Sequence, residues 1–318
     1  MSDHPLRILI TGGSGFVGRY LVNALCTRPE QPEIIVAIHR STAEFQHRSV
    51  RFVAMDVSDA GQVCSVLATE KPTHLFHLAG IAQVADSDIR RTWDVNFGGS
   101  FNVAVAVREF VPFCRVLFCT SAEIYGDSCR SGQPVDESTH LDPVNPYGAS
   151  KAASDILIGQ MAKEGLKAIR LRPFNHTGPG QSEAFVVPSF VAQVVRIEGG
   201  RQCPAIRVGN LAIRRDFLDV RDVVDAYVRA ILRFDELPNG YAINIASGKS
   251  VSIGDILSSL LTLAQIKASL VVDHERLRAN DCPVTIGNAD RAHSLLGWRP
   301  RFELTETLKG MLDWYRSH

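Results

Sequence analysis

The sequence predicts an α/β protein built on a doubly wound parallel sheet, and three observations carry that expectation. Apolar runs short enough for buried strands alternate with stretches of helical periodicity through the first half of the chain. The first of these runs, Arg7–Thr11, meets a glycine-rich turn, Gly12-Gly13-Ser14-Gly15-Phe16-Val17-Gly18, that opens a helix. Beyond Pro173 the alternation gives way to a mixed segment rich in Gly, Pro and Asn, which predicts a smaller lobe interleaved with the last strands of the sheet.

After Gly18, Tyr20, Leu21, Ala24 and Leu25 recur at helical spacing. Further buried strands are expected at 34–38, 51–54, 74–78, 116–119 and 168–171, separated by helices at 59–69, 92–110 and 146–163. In the later segment, helices are expected at 188–198, 220–234, 253–264 and 304–316. Residues 1–173 therefore form the expected dinucleotide-binding domain and 174–318 mainly a second lobe, with segments around 210–250 rejoining the sheet.

Bulk properties narrow the function classes. The 318 residues are 45% hydrophobic and 21% charged, enough for a full core. Thirty-four basic residues balance thirty-four acidic ones without a long basic run, which argues against a nucleic-acid partner. The seven cysteines are scattered, odd in number and without a Cys-x-x-Cys spacing, and so read as reduced thiols with no metal site. No apolar run of about 18 residues is present to span a bilayer, and no leader pattern stands at the start, so no membrane partner and a cytoplasmic location are expected.

Glycines at 12, 15 and 18 suit a tight turn, close approach of backbone to a pyrophosphate, and close packing of helix on strand. The helix N-terminus then faces the phosphates, with Phe16 and Val17 in its first turn. In such units an acid at the end of the second strand reads the ribose of NAD; here that strand runs into His39-Arg40. NADPH is therefore the expected cofactor, with NADH as the alternative. Asp56-Val57 after the third strand is placed to meet the adenine or to cap the next helix, and Leu78-Ala79-Gly80 ends the fourth with small residues. Tyr147 and Lys151 lie four apart on a predicted helix, where an ammonium favours phenolate and makes the tyrosine an acid or base near neutrality.

Taken together, the glycine triplet, Asp56-Val57, His77-Leu78-Ala79-Gly80, Ser121, and Tyr147 with Lys151 resemble the motifs of the extended short-chain dehydrogenase/reductases, over nearly the whole chain. That resemblance implies a Rossmann sheet, Ser121 and Tyr147 bonded to the substrate's reacting oxygen, and Lys151 also on the nicotinamide ribose. Within the family, Phe174-Asn175-His176-Thr177-Gly178-Pro179-Gly180-Gln181 is similar to the segment of reductases acting on GDP-4-keto-6-deoxy-D-mannose, close relatives of the GDP-mannose 4,6-dehydratases. The stretches 208–211, 215–222 and 297–300 are similar to the same reductases.

The resemblance further implies a GDP-linked keto sugar as substrate, with Asn175 on the sugar or diphosphate, Arg215 on the diphosphate and Arg278 on the nucleotide. Guanidinium forks suit phosphate oxygens. Where those reductases often read Arg-Pro-x-Glu, this chain reads Arg278-Ala279-Asn280-Asp281, so Asp281 stands as a shortened acid for the nucleotide ribose. Ala122 occupies the place of an aspartic acid found in deoxythymidine-type dehydratases, while Glu123 retains a carboxylate beside the serine. The expected reaction is reduction to a GDP-6-deoxyhexose such as GDP-D-rhamnose. A 4,6-dehydratase, a 4-epimerase and a nonenzymatic NADP-binding protein are the alternatives. In this family the helices at 92–110 and 146–163 build a dimer bundle, which implies a homodimer. His77 and the tryptophans Trp93, Trp298 and Trp314 are expected to serve packing.

Overall fold

The protein was analysed as a computed structural model that describes residues 6–39, 49–82, 88–277 and 282–318. In chain order the elements are β1 (Arg7–Thr11), α1 (Phe16–Cys26), β2 (Glu33–Ile38), β3 (Val50–Ala54), α2 (Ala60–Glu70), β4 (His74–His77), α3 (Ile89–Trp93), α4 (Gly99–Phe110), β5 (Arg115–Cys119), α5 (Pro146–Lys163) and β6 (Ala168–Pro173). There follow β7 (Asn175–Thr177), α6 (Val186–Glu198), β8 (Ala205–Val208), β9 (Arg214–Asp219), α7 (Val220–Leu232), β10 (Ala242–Ile245), β11 (Ser250–Ser252), α8 (Ile253–Ala264), β12 (Ser269–Val272), α9 (Asp290–Leu296) and α10 (Leu304–Ser317).

Seven strands form one parallel sheet in the order β10-β6-β5-β4-β1-β2-β3. The apolar runs explain this arrangement: Ile8, Leu9 and Ile10 are all fully buried, as a strand covered on both faces requires. One face packs on α1, α7 and Trp298, and the other on α2, α4 and α5. The strand order reverses between β1 and β4, which opens a crevice at their carboxyl ends. Trp298 is buried and donates its indole N–H to the Asp222 carbonyl at 2.9 Å, while His77 is buried between Thr11 and Ser100. Both therefore serve packing.

Two features differ from the sequence expectation. The helix expected at 92–110 is interrupted by a π turn at Asp94–Gly98. The wider turn coincides with Asn96, whose buried amide accepts from the Ile81 N–H at 2.8 Å and donates to the Ile81 carbonyl at 3.2 Å and to Ser150 Oγ at 3.0 Å. β10, from the segment around 210–250 expected to rejoin the sheet, does so beside β6. The smaller lobe holds two further sheets, β11-β9-β7 and β12-β8, on a core shared by α6, α8 and α10.

Candidate active site

One cleft of about 1470 Å³ runs from the glycine turn, across the ends of β4 and β5, to α6 and β9. Every site residue expected from the sequence that lies among the described residues lines it. Arg40, Arg278 and Asp281 lie outside the described residues.

At the turn, Gly12 has φ +70°, and a Cβ there would stand 2.7 Å from the Ala79 nitrogen. A Cβ on Gly18 would stand 2.4 Å from the Gly12 carbonyl oxygen and 2.5 Å from Gly13 Cα. Only hydrogens fit at these two positions, so β1, β4 and α1 converge on a bare backbone surface. Gly15 precedes α1 in extended conformation without a side-chain cap, leaving the helix N-terminus facing the cleft. The residues present fit a dinucleotide pyrophosphate, which needs such a bare backbone surface at a helix N-terminus.

Beyond the ends of β2 and β3, His39 Nδ1 lies 3.2 Å from Asp56 Oδ2. Asp56 Oδ1 accepts from the Ser58 N–H at 2.9 Å and from Ser58 Oγ at 2.7 Å, and the cap of α2 is Asp59. Asp56 is thus a loop-ordering carboxylate on the cleft wall, and the helix-capping alternative belongs to its neighbour three residues on. Thr11 Oγ1 lies 2.8 Å from His77 Nδ1 and accepts from the Ala79 N–H at 3.1 Å, which fixes the strand ends under the cofactor cradle. Burial, helped by the Lys151 charge, pushes the His77 pKa down to about 3, so its ring is neutral.

The reactive cluster forms where β5 ends and α5 begins. Ser121 is extended, and its Oγ accepts from the Glu123 N–H at 3.2 Å. Pro146 fits the first turn of α5, and Asn145 caps it through the Gly148 N–H at 2.7 Å. That start aims Tyr147 at the cleft, whose wall it shares with Ser121. One turn on, Lys151 is 5% exposed and donates to the Cys119 carbonyl at 3.1 Å. The expectation that Lys151 lowers the Tyr147 pKa is not met. Burial of the phenol dominates and drives it above the ordinary tyrosine value; the Ser121 hydroxyl opposes this, and the nearby Cys119 and Glu123 add to it. Lys151 is itself pulled below the ordinary lysine range by burial. The resting tyrosine is a protonated acid.

Toward the second lobe, Asn175 begins β7 and pairs with Phe217 of β9. Its run is fastened to the cofactor helix: His176 stacks on Phe16 with centroids 6.4 Å apart, and Tyr20 donates to the Pro179 carbonyl at 2.9 Å. Arg215 is buried and donates to the Cys282 carbonyl at 2.6 Å. Sequence reasoning missed Arg276, which also lines the cleft and donates to Ser189 Oγ at 2.9 Å, and Phe185 to Val187 at the start of α6. No motif marks them; only the fold brings them to the cleft.

The family model described as GDP-mannose 4,6 dehydratase matches residues 9–311. The chain is 31% identical to the GDP-6-deoxy-D-mannose reductase of Pseudomonas aeruginosa, over 97% of both chains. Among solved structures it resembles RMD from Pseudomonas aeruginosa complexed with NADPH, at 29% identity and a TM-score of 0.83 over 98% of this chain and 99% of that one. It also resembles the UDP-glucose 4-epimerase of Thermotoga maritima with UDP-glucose, at 26% identity and a TM-score of 0.85 over 98% and 99% of the two chains.

Proposed function

The chain belongs to the GDP-mannose 4,6 dehydratase family, and within it we propose an NADPH-dependent oxidoreductase that reduces the 4-keto group of GDP-4-keto-6-deoxy-D-mannose to a GDP-6-deoxyhexose such as GDP-D-rhamnose. One observation carries this: Tyr147, kept protonated by burial, lines the same cleft as Ser121 and the apolar Ala122. A protonated phenol is what a carbonyl oxygen needs as it gains charge. The relative that shares 31% identity is named a GDP-6-deoxy-D-mannose reductase, and the RMD structure contains NADPH.

When bound on the glycine cradle, the nicotinamide cofactor supplies the hydride. Ser121 donates to the substrate's C4 oxygen, and Tyr147 delivers its proton there. Lys151, tethered to the Cys119 carbonyl, directs its remaining N–H donors to the cofactor ribose and supplies positive charge near the phenol as it gives up its proton. His39 and Arg40 are assigned to the 2′-phosphate, with NADH as the second donor to compare. Arg215 and Asn175, together with Arg278 and Asp281, receive the nucleoside diphosphate, which makes 174–318 mainly the nucleotide-sugar lobe. Glu123 lines the cleft near Tyr147, and this is the observation that favours the second reading, a 4,6-dehydratase.

Pure protein incubated with GDP-4-keto-6-deoxy-D-mannose and NADPH should lose nicotinamide absorbance mole for mole with product. No oxidation, alongside a keto sugar formed from GDP-mannose, would overturn the reductase in favour of the dehydratase. We also infer a homodimer, supported by Phe101 and Val105 on α4 and Ile156 on α5, which are exposed by 45%, 37% and 61% on helices that pack together. Light scattering of a micromolar solution should give twice the chain mass; a monomer refutes it. Among the described residues no helix is long and apolar enough to cross a membrane, and the proposed location is the cytoplasm.

A further inference from the structure

Asn145 precedes α5, and its one amide makes two bonds that join separate pieces of the site. Its Oδ1 accepts from the Gly148 N–H at 2.7 Å, while its Nδ2 donates to Glu123 Oε2 at 3.1 Å. The first bond closes the turn that presents Tyr147. The second holds the residue whose own N–H donates to Ser121 Oγ at 3.2 Å. The pieces lie close, since a Cβ on Gly148 would stand 2.7 Å from the Glu123 carbonyl oxygen. Serine, threonine or aspartate caps a helix as well as asparagine. Only an amide, however, caps with its oxygen while donating from its nitrogen to a carboxylate.

We propose that Asn145 is a positioning residue for the reduction: by holding Glu123 against the first turn of α5, it fixes Ser121 relative to Tyr147. The inference rests on the reductase reading above, because Ser121 and Tyr147 are there the two groups that meet the reacting oxygen. Asn145 itself touches neither substrate nor cofactor in this account. Its effect is on the geometry of others, so its loss lowers kcat while leaving the cradle for NADPH intact.

The discriminating variant is Asn145→Asp. Aspartate keeps the cap and suits the helix N-terminus, yet turns a carboxylate toward Glu123 where an N–H had been. In a Glu123→Gln background the pair is restored with donor and acceptor exchanged and the net charge of the wild type. The four proteins form a cycle. N145D is expected to lower kcat by roughly tenfold or more in the wild-type background, with KM for NADPH within about twofold, and to be neutral or beneficial in the E123Q background. An unchanged kcat in N145D, or the same loss in both backgrounds, overturns the clamp. Thermal midpoints of the four proteins need no substrate and should show N145D more costly when Glu123 is present than when E123Q has removed its charge. If the wild type is inert toward the keto sugar, the reductase reading falls while the midpoints still decide the clamp: equal shifts in both backgrounds overturn it.

Discussion

Replacing Asp155 with asparagine removes one negative charge from the point where α5, β5 and β6 meet. Asp155 Oδ1 takes Arg170 Nη1 at 2.5 Å and Arg172 Nη2 at 2.7 Å; Oδ2 takes Arg172 Nε at 2.9 Å and Thr120 Oγ1 at 3.2 Å. The carboxylate is fully buried, and the side chains of Arg172 and Arg170 are 4% and 18% exposed. Arg170 also holds the Gly240 carbonyl through two nitrogens and reaches water, so it loses little. Arg172 is left an interior cation without its counter-charge, held otherwise by the neutral Tyr125 Oη at 2.9 Å and Glu137 carbonyl at 3.2 Å. Removing one partner of a buried ion pair costs about 3–5 kcal/mol, and the water edge at Arg170 sets the expectation near 3. At about 2 °C per kcal/mol for a chain of this size, the melting midpoint of D155N should fall by roughly 6 °C. Circular-dichroism melts at neutral pH read this directly. Adding Arg172→Met removes the stranded cation and should recover part of the loss. A D155N midpoint within about 1 °C of wild type would refute the reasoning.

Gly18→Ala places a methyl group against the Gly12 and Gly13 backbone, and fluorescence titration should show NADPH bound at least about tenfold more weakly, a loss of roughly 1.4 kcal/mol. An unchanged Kd contradicts the cradle. Tyr147→Phe should lower kcat by about 100- to 10,000-fold with NADPH affinity retained, since only the proton donor is lost. Because burial raises the Tyr147 pKa, the phenol stays protonated through neutral pH, and wild-type reduction should lose this acid only in strongly alkaline solution. An alkaline limb centred near neutrality that Tyr147 mutation abolishes would contradict that assignment. The His77 pKa is depressed to about 3, so between the ordinary value of 6.5 and about 3 the unfolded chain binds a proton that the folded one does not. This contribution to wild-type stability is present above pH 6.5 and falls by about 1.4 kcal/mol per unit of acidification below it. His77→Asn lacks the titration, so its deficit in urea unfolding should narrow between pH 7.5 and 5.5; a constant deficit contradicts the neutral, buried ring.

The cofactor half was legible because its constraints are local. Gly12 and Gly18 are read from sequence since no side chain fits there, and the run Ile8 to Ile10 is apolar because both its faces are covered. The second half hides its logic in distant pairings. β10 is only four residues long, and its place beside β6 depends on a partner some seventy positions earlier. Asp216, in a motif that resemblance singled out, binds the N–H groups of Ser247, Gly248 and Gly287, a stitching role that no local pattern announces. Spacing placed Lys151 one turn from Tyr147 correctly. It did not show that the ammonium bonds to Cys119 or that desolvation outweighs its field on the phenol. No sequence pattern singled out Asn145, because its bond to Glu123 spans the long connection from β5 to α5.

Transfer of label tests the central claim most directly. NADPH carrying deuterium at the transferable position of nicotinamide C4, incubated with the protein and GDP-4-keto-6-deoxy-D-mannose, should yield a GDP-6-deoxyhexose with one deuterium on sugar C4 and an equal amount of oxidised cofactor. Product without deuterium at C4, or turnover with no net oxidation of NADPH, would contradict it.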